Sequence, residues 1–159
     1  MKIEIRAIGH IREAYIAQGI AEYQKRLRPY TRFSIREFPE ESIPEAMPST
    51  VQRRARDLEG IRLLKGLSAD TVIIALDPEG EAWTSEDLAR RMTSFALSGR
   101  NDLVFLIGGP PGLSDLIVDR ADICLSLSRM TFPHQLVRLI LVEQLYRAFR
   151  IMRGEPYHK

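Results

Sequence analysis

Thr71-Val-Ile-Ile-Ala-Leu76 and Leu103-Val-Phe-Leu-Ile107 are near-continuous apolar runs, and they decide the fold class. A strand with one wet face alternates apolar and polar residues. A strand without alternation is covered on both faces, as in the middle of a parallel sheet. Between the two runs, Thr84-Ser-Glu-Asp87 opens a helix over about residues 86–98, with a hydroxyl at the cap and acids in the first turn.

Working outward, Lys2–Ile8 alternates as a strand with Ile3, Ile5 and Ala7 on one face, and residues 13–27 read as a helix stopped by Pro29. Residues 31–38 form a second strand, and residues 39–48, with three prolines, a loop. A basic helix follows from residue 49 or 50 to 67, carrying Arg53, Arg54, Arg56, Arg62 and Lys65. Residues 123–128 make a short strand. Residues 133–153 form the last helix, opened by a proline whose missing N–H costs nothing in a first turn. Strands and helices alternate throughout, without repeat or linker. The expected architecture is α/β, a mostly parallel sheet with helices on both faces, in one domain spanning 1–159.

Composition fits a soluble globular protein, with 45% apolar and 28% charged residues. The single Cys124 rules out an intrachain disulfide and suits a reducing cytoplasm. No apolar run approaches the roughly 18 residues of a membrane span, and Met1-Lys-Ile-Glu-Ile-Arg6 is unlike a signal peptide. The net charge of +2 conceals segregation: residues 1–66 and 129–159 each carry +4, and residues 67–128 carry −6. Such a distribution suits a polyanionic partner, or is simply a set of solvated helix faces.

In the last helix, Leu139-Ile-Leu-Val142 cover every side of one turn. A sheet covers only one side, so the other requires another helix or another subunit, and a homodimer is the economical expectation.

Ligands of open α/β sheets bind beyond the carboxyl ends of the strands. Three such ends are distinctive: Leu76-Asp-Pro-Glu-Gly80, Ile107-Gly-Gly-Pro-Pro-Gly-Leu113 and Leu125-Ser-Leu-Ser-Arg-Met-Thr-Phe132. Their glycines allow a backbone to approach a ligand closely, and their prolines fix loop shape. There is no Gly-x-x-x-x-Gly-Lys-Ser/Thr, no Gly-x-Gly-x-x-Gly and no Gly-x-Ser-x-Gly. His10, His134, His158 and Cys124 lack metal-ligand spacing, so no metal is expected.

These loops, together with Glu143-Gln-Leu-Tyr-Arg-Ala-Phe-Arg150 and Pro156-Tyr-His-Lys159, resemble the RlmH family, pseudouridine methyltransferases of the ribosomal large subunit in the SPOUT class. The likeness spans the chain, and Pro111 departs from the polar residue usual at its place. The resemblance implies methylation of ring N3 of a pseudouridine in large-subunit (23S) rRNA on assembled ribosomes. It also implies a C-terminal trefoil knot, no separate RNA-binding domain and a homodimer with the active site at its interface. S-adenosylmethionine is the implied methyl donor, without metal. By position, Leu76, Gly108, Gly109, Leu127, Ser128, Arg129, Met130, Thr131 and Phe132 match the cofactor-binding segments.

His158, Tyr157 and Arg147 are the catalytic candidates that the family motif supplies, and Lys159 and Arg150 the RNA-binding ones. An imidazole takes a proton near neutral pH, so His158 is either the base for the target imide or a substrate contact. Tyr157 stacks on or hydrogen-bonds a base, and Lys159 holds phosphate. Arg147 stands four residues after Glu143, where a surface ion pair is the plain alternative. His134 reads as a capping or packing residue, and Arg138 as an interface partner. The rival function is a non-catalytic ribosome- or RNA-binding factor, which would leave three ligand-shaped loops without purpose.

Overall fold

The computed structural model describes residues 1–44 and 46–157. In chain order the elements are β1 (Lys2–Ile8), α1 (Ala14–Leu27), β2 (Arg32–Phe38), α2 (Ser49–Leu64), β3 (Val72–Ala82), α3 (Ser85–Leu97), β4 (Asp102–Ile107), α4 (Asp115–Arg120), β5 (Ile123–Ser126) and α5 (His134–Met152). The five strands form one sheet in the order β2-β1-β4-β3-β5, and every neighbouring pair is parallel. Parallel neighbours need crossovers, which the helices supply.

Those crossovers cover both faces. On one, α1, α3 and α5 bury Leu27, Met92, Leu141 and Leu145 against Ile3, Ile5, Ile74 and Phe105. On the other, α2 and α4 bury Leu63 and Ile117 against Ile8, Ile73 and Leu106. The apolar runs of β3 and β4 are therefore central strands, as their lack of alternation required. Strand β1 is also central, so its second face is covered too. There Arg6 is 5% exposed, and its Nη1 donates to the carbonyls of Leu63 and Lys65, both at 2.8 Å. A buried cation is tolerated only when satisfied in this way. Helix α3 begins with a reciprocal cap: Thr84 Oγ1 accepts from the Asp87 N–H, and Asp87 Oδ2 accepts from the Thr84 N–H. Such a cap contributes about 1 kcal/mol.

One expectation needs correction. The sequence ends the third strand at Leu76, with Leu76-Asp-Pro-Glu-Gly80 as the strand end that faces a ligand. Instead β3 leaves the ladder for residues 77–80 and pairs again, so that Leu125 is matched by both Leu76 and Glu81. This strap crosses β5 closely: a Cβ on Gly80 would lie 2.5 Å from the Cys124 carbonyl oxygen. Within the chain α5 is covered more fully on one side than on the other. Leu141, Val142, Leu145 and Ala148 are buried, whereas Leu136, Leu139 and Ile140 are half-buried. None of the described helices is long and apolar enough to cross a membrane.

Candidate active site

Beyond the carboxyl ends of β3, β4 and β5 lies a cleft of about 480 Å³. The strap contributes Leu76, Asp77 and Pro78, and the loop after β4 contributes residues 107–113. The loop after β5 contributes Leu127, Ser128, Met130, Thr131 and Phe132, while Arg56 of α2 and His134 and Val137 of α5 complete the wall. A volume of this size suits a small organic ligand.

Each loop is shaped by its own sequence. After β4, Pro110 and Pro111 occupy the middle of a turn closed by the Gly112 N–H donating to the Gly109 carbonyl at 2.9 Å. Gly112 has φ +88°, a conformation that a side chain would strain. The turn doubles back so tightly that a Cβ on Gly108 would sit 2.9 Å from the Gly112 carbonyl. After β5, Ser128 Oγ accepts from the Met130 N–H at 2.9 Å, and Ser126 Oγ donates to the Ser128 carbonyl at 3.1 Å. These bonds bend the chain over the cleft mouth.

Leu76, Gly108, Gly109, Leu127, Ser128, Met130, Thr131 and Phe132, all expected to bind cofactor, line this cleft; Arg129 is exposed and does not. Sequence reasoning passed over Arg56 and Val137 as cleft residues. Arg56 looked like one more charge of a basic helix, and only the packing of α2 beside the β4 loop turns it inward. His134 stands at the cleft rim with its ring partly exposed, and close packing on its inner side, together with the charge of Arg138, lowers its pKa. Behind the β4 loop, Glu59 is 2% exposed. Its Oε1 accepts from the Glu41 N–H at 2.9 Å, and its Oε2 has no partner among the described residues. Burial pushes this carboxyl above its ordinary range.

The second group of expected residues gathers at the other end of α5. Tyr157 OH donates to Glu143 Oε1 at 3.2 Å, and its ring stands edge-on to Tyr146 with centroids 5.0 Å apart. Arg147 donates to the same Glu143 oxygen at 2.7 Å and lies 4.7 Å over the Tyr157 ring. Desolvation raises the Tyr157 pKa, so the phenol keeps its proton and is a donor. Arg150 Nε lies 3.0 Å from Glu155 Oε2, and Arg150 Nη2 donates to the Pro156 carbonyl at 3.0 Å. Glu155 also accepts from Tyr30 OH at 2.6 Å. Within its own chain Arg150 thus ties down the tail. His158 and Lys159 lie outside the described residues.

Val137 lines the cleft and Arg147 stands ten residues further along α5, a rise of about 15 Å. The two groups are therefore apart in one chain. Arg138, expected at an interface, is instead internal: it is 1% exposed and donates to Glu37 Oε1 and to the carbonyls of Ile8 and Gly9. Among the described residues no cluster of His, Cys, Asp and Glu is arranged to hold a metal ion.

Residues 1–158 match the sequence family described as "Predicted SPOUT methyltransferase". Along its full 159 residues the chain is 47% identical to Ribosomal RNA large subunit methyltransferase H of Desulforamulus reducens, covering 99% of that protein. It is 50% identical to the protein of the same description from Bacillus pumilus and 46% identical to that of Listeria welshimeri, in both cases over the whole of each chain.

Proposed function

The chain belongs to the SPOUT methyltransferase family, and from that premise we propose that it methylates ring N3 of a pseudouridine in 23S rRNA, in the cytoplasm and on assembled ribosomes, with S-adenosylmethionine as donor. The observation that carries the reading is the convergence of three strand-end loops on one cleft. The residues present fit the donor. Leu76, Leu127, Met130 and Phe132 offer an apolar surface, and Gly108 and Gly109 expose backbone for an adenine edge. When bound, the donor supplies a methyl group already activated by its sulfonium. The protein's task is then to position and orient the reactants.

The target nitrogen must lose a proton. Tyr157, a protonated phenol, hydrogen-bonds the base, and the Arg147 guanidinium stabilises the developing imide anion. His158 serves as proton acceptor or substrate contact, and Arg150 and Lys159 bind phosphate. The separation of this group from the cleft along α5 supports a homodimer in which the tail of one subunit serves the cleft of the other. The half-buried Leu136, Leu139 and Ile140 support the same arrangement. The close passage of residues 77–80 over β5 supports the C-terminal trefoil knot. In such a dimer both subunits contact the ribosome.

The test is incubation with labelled S-adenosylmethionine and ribosomes from a strain lacking the modification, followed by mapping of the labelled nucleotide. Label on N3 of a single pseudouridine of 23S rRNA is expected. Absence of label from RNA would sink the reading.

A further inference from the structure

Arg56 has the makings of a ligand contact that no protein group satisfies. It lines the cleft, and its Nε is shut off from solvent with no acceptor among the described residues. Two other arginines of α2 have carboxylate partners: Arg53 pairs with Asp115 at 3.3 Å, and Arg62 with Glu41. No other arginine or lysine among the described residues lines this cleft. The rest of the wall is apolar or glycine and proline, apart from Asp77, Ser128, Thr131 and His134.

An Nε–H shut off from solvent without an acceptor is costly, and the planar fork of a guanidinium suits a carboxylate. The donor's chemistry favours one partner. Its adenosine is neutral, its sulfonium and ammonium are cationic, and its carboxylate is its only anion. A guanidinium can also donate to neutral adenine or ribose acceptors, but a charge-assisted pair with the carboxylate is the stronger contact. On the reading given under Proposed function, which this rests on, we infer that Arg56 anchors the carboxylate of the donor's amino-acid moiety. Asp77 has Oδ1 engaged by the Glu79 N–H at 2.9 Å. Its negative charge on the strap keeps the cleft from rejecting the two cationic groups. Arg56 is thus a specificity residue that distinguishes the intact donor from nucleosides lacking the amino acid.

Two nucleosides separate the possibilities in titration calorimetry. S-adenosylhomocysteine keeps the amino-acid moiety, and 5′-methylthioadenosine lacks it. Arg56→Ala should weaken S-adenosylhomocysteine about ten- to a hundredfold, the range expected for a charge-assisted pair. Its affinity for 5′-methylthioadenosine should equal that of the unaltered protein. Equal affinity of both proteins for S-adenosylhomocysteine would overturn the inference and leave the methyltransferase reading intact; reduced RNA turnover alongside would then point to a phosphate contact. Equal weakening of both nucleosides would also overturn it, since the effect would then not concern the carboxylate. Failure of the unaltered protein to bind S-adenosylhomocysteine or S-adenosylmethionine would defeat the underlying reading itself, and the inference with it.

Discussion

Arg138 Nη1 lies 2.8 Å from Glu37 Oε1, joining α5 to the end of β2 across 101 residues of chain. The same guanidinium donates to the Ile8 and Gly9 carbonyls, where β1 ends. One side chain thus fastens the last helix to two strand ends close to the cleft rim.

Replacing it should be expensive. Arg138→Met leaves the Ile8 carbonyl without this donor and Glu37 without its arginine, and the cost should be about 3 kcal/mol, the lower end for a broken buried pair because Glu37 keeps some solvent and the Ile11 N–H. Urea denaturation measures it. A loss below about 1 kcal/mol would show that the pair merely balances its own desolvation.

The strap makes a steric prediction. A methyl group on Gly80 meets backbone atoms of Cys124 and Leu125, which cannot rotate away. Gly80→Ala should therefore destabilise by about 1–3 kcal/mol and lower donor affinity together with stability. An unchanged melting temperature would mean that the strap can lift from β5 freely.

Glu59 predicts a pH dependence of one sign. Its folded pKa is raised by burial, whereas an unfolded glutamate ionises near about 4.3. The unfolded state loses its proton first as pH rises, so this group disfavours folding above that value. Glu59→Gln keeps the acceptor for the Glu41 N–H and removes the charge. It should be more stable than the unaltered protein at pH 7.5 and no more stable at pH 4, read as urea midpoints. An advantage equal at both pH values would refute the burial argument.

His134 has the opposite linkage. Its folded pKa is lowered, first by burial and then by Arg138. Its contribution is complete above the unfolded value of about 6.5 and is lost as pH falls from there towards the folded value. His134→Gln should flatten the decline of stability over that interval. A slope unaffected by the substitution would assign the decline to other groups.

The tail separates chemistry from folding. Of the contacts described, removal of Tyr157–Lys159 deletes the hydrogen bond from Tyr157 to Glu143, the edge-on contact with Tyr146 and the cover of its ring by Arg147, all at the end of α5, so the melting temperature should fall only a little. Donor affinity should persist while methyl transfer to ribosomes disappears. Turnover at the unaltered rate would remove the tail from the mechanism.

The fold was legible where periodicity is decided locally. The apolar runs of β3 and β4 named central strands, and Thr84 and Pro133 marked helix starts within a residue or two. The cleft loops were legible because glycine and proline stand directly after those runs. What sequence could not supply was long-range pairing. The strand reads as ending at Leu76, and only its partner Leu125, far along the chain, returns β3 to the ladder at Glu81. Arg56 was hidden for the same reason: one charge among five on a helix gains a direction only from what the helix packs against. Arg138 looked external because a charge inside an apolar stretch more often faces a partner than two carbonyl ends.

The strap and the cleft wall share residues. Leu76, Asp77 and Pro78 face the cavity, and so does Leu125 of the strand that they cross. The cavity accordingly needs both neighbours in place, together with the loop after β4. Without residues 125–132 one whole wall is missing, however well formed the first four strands are. Ligand affinity in this protein is therefore a gauge of how completely its last strand and the loop after it have docked.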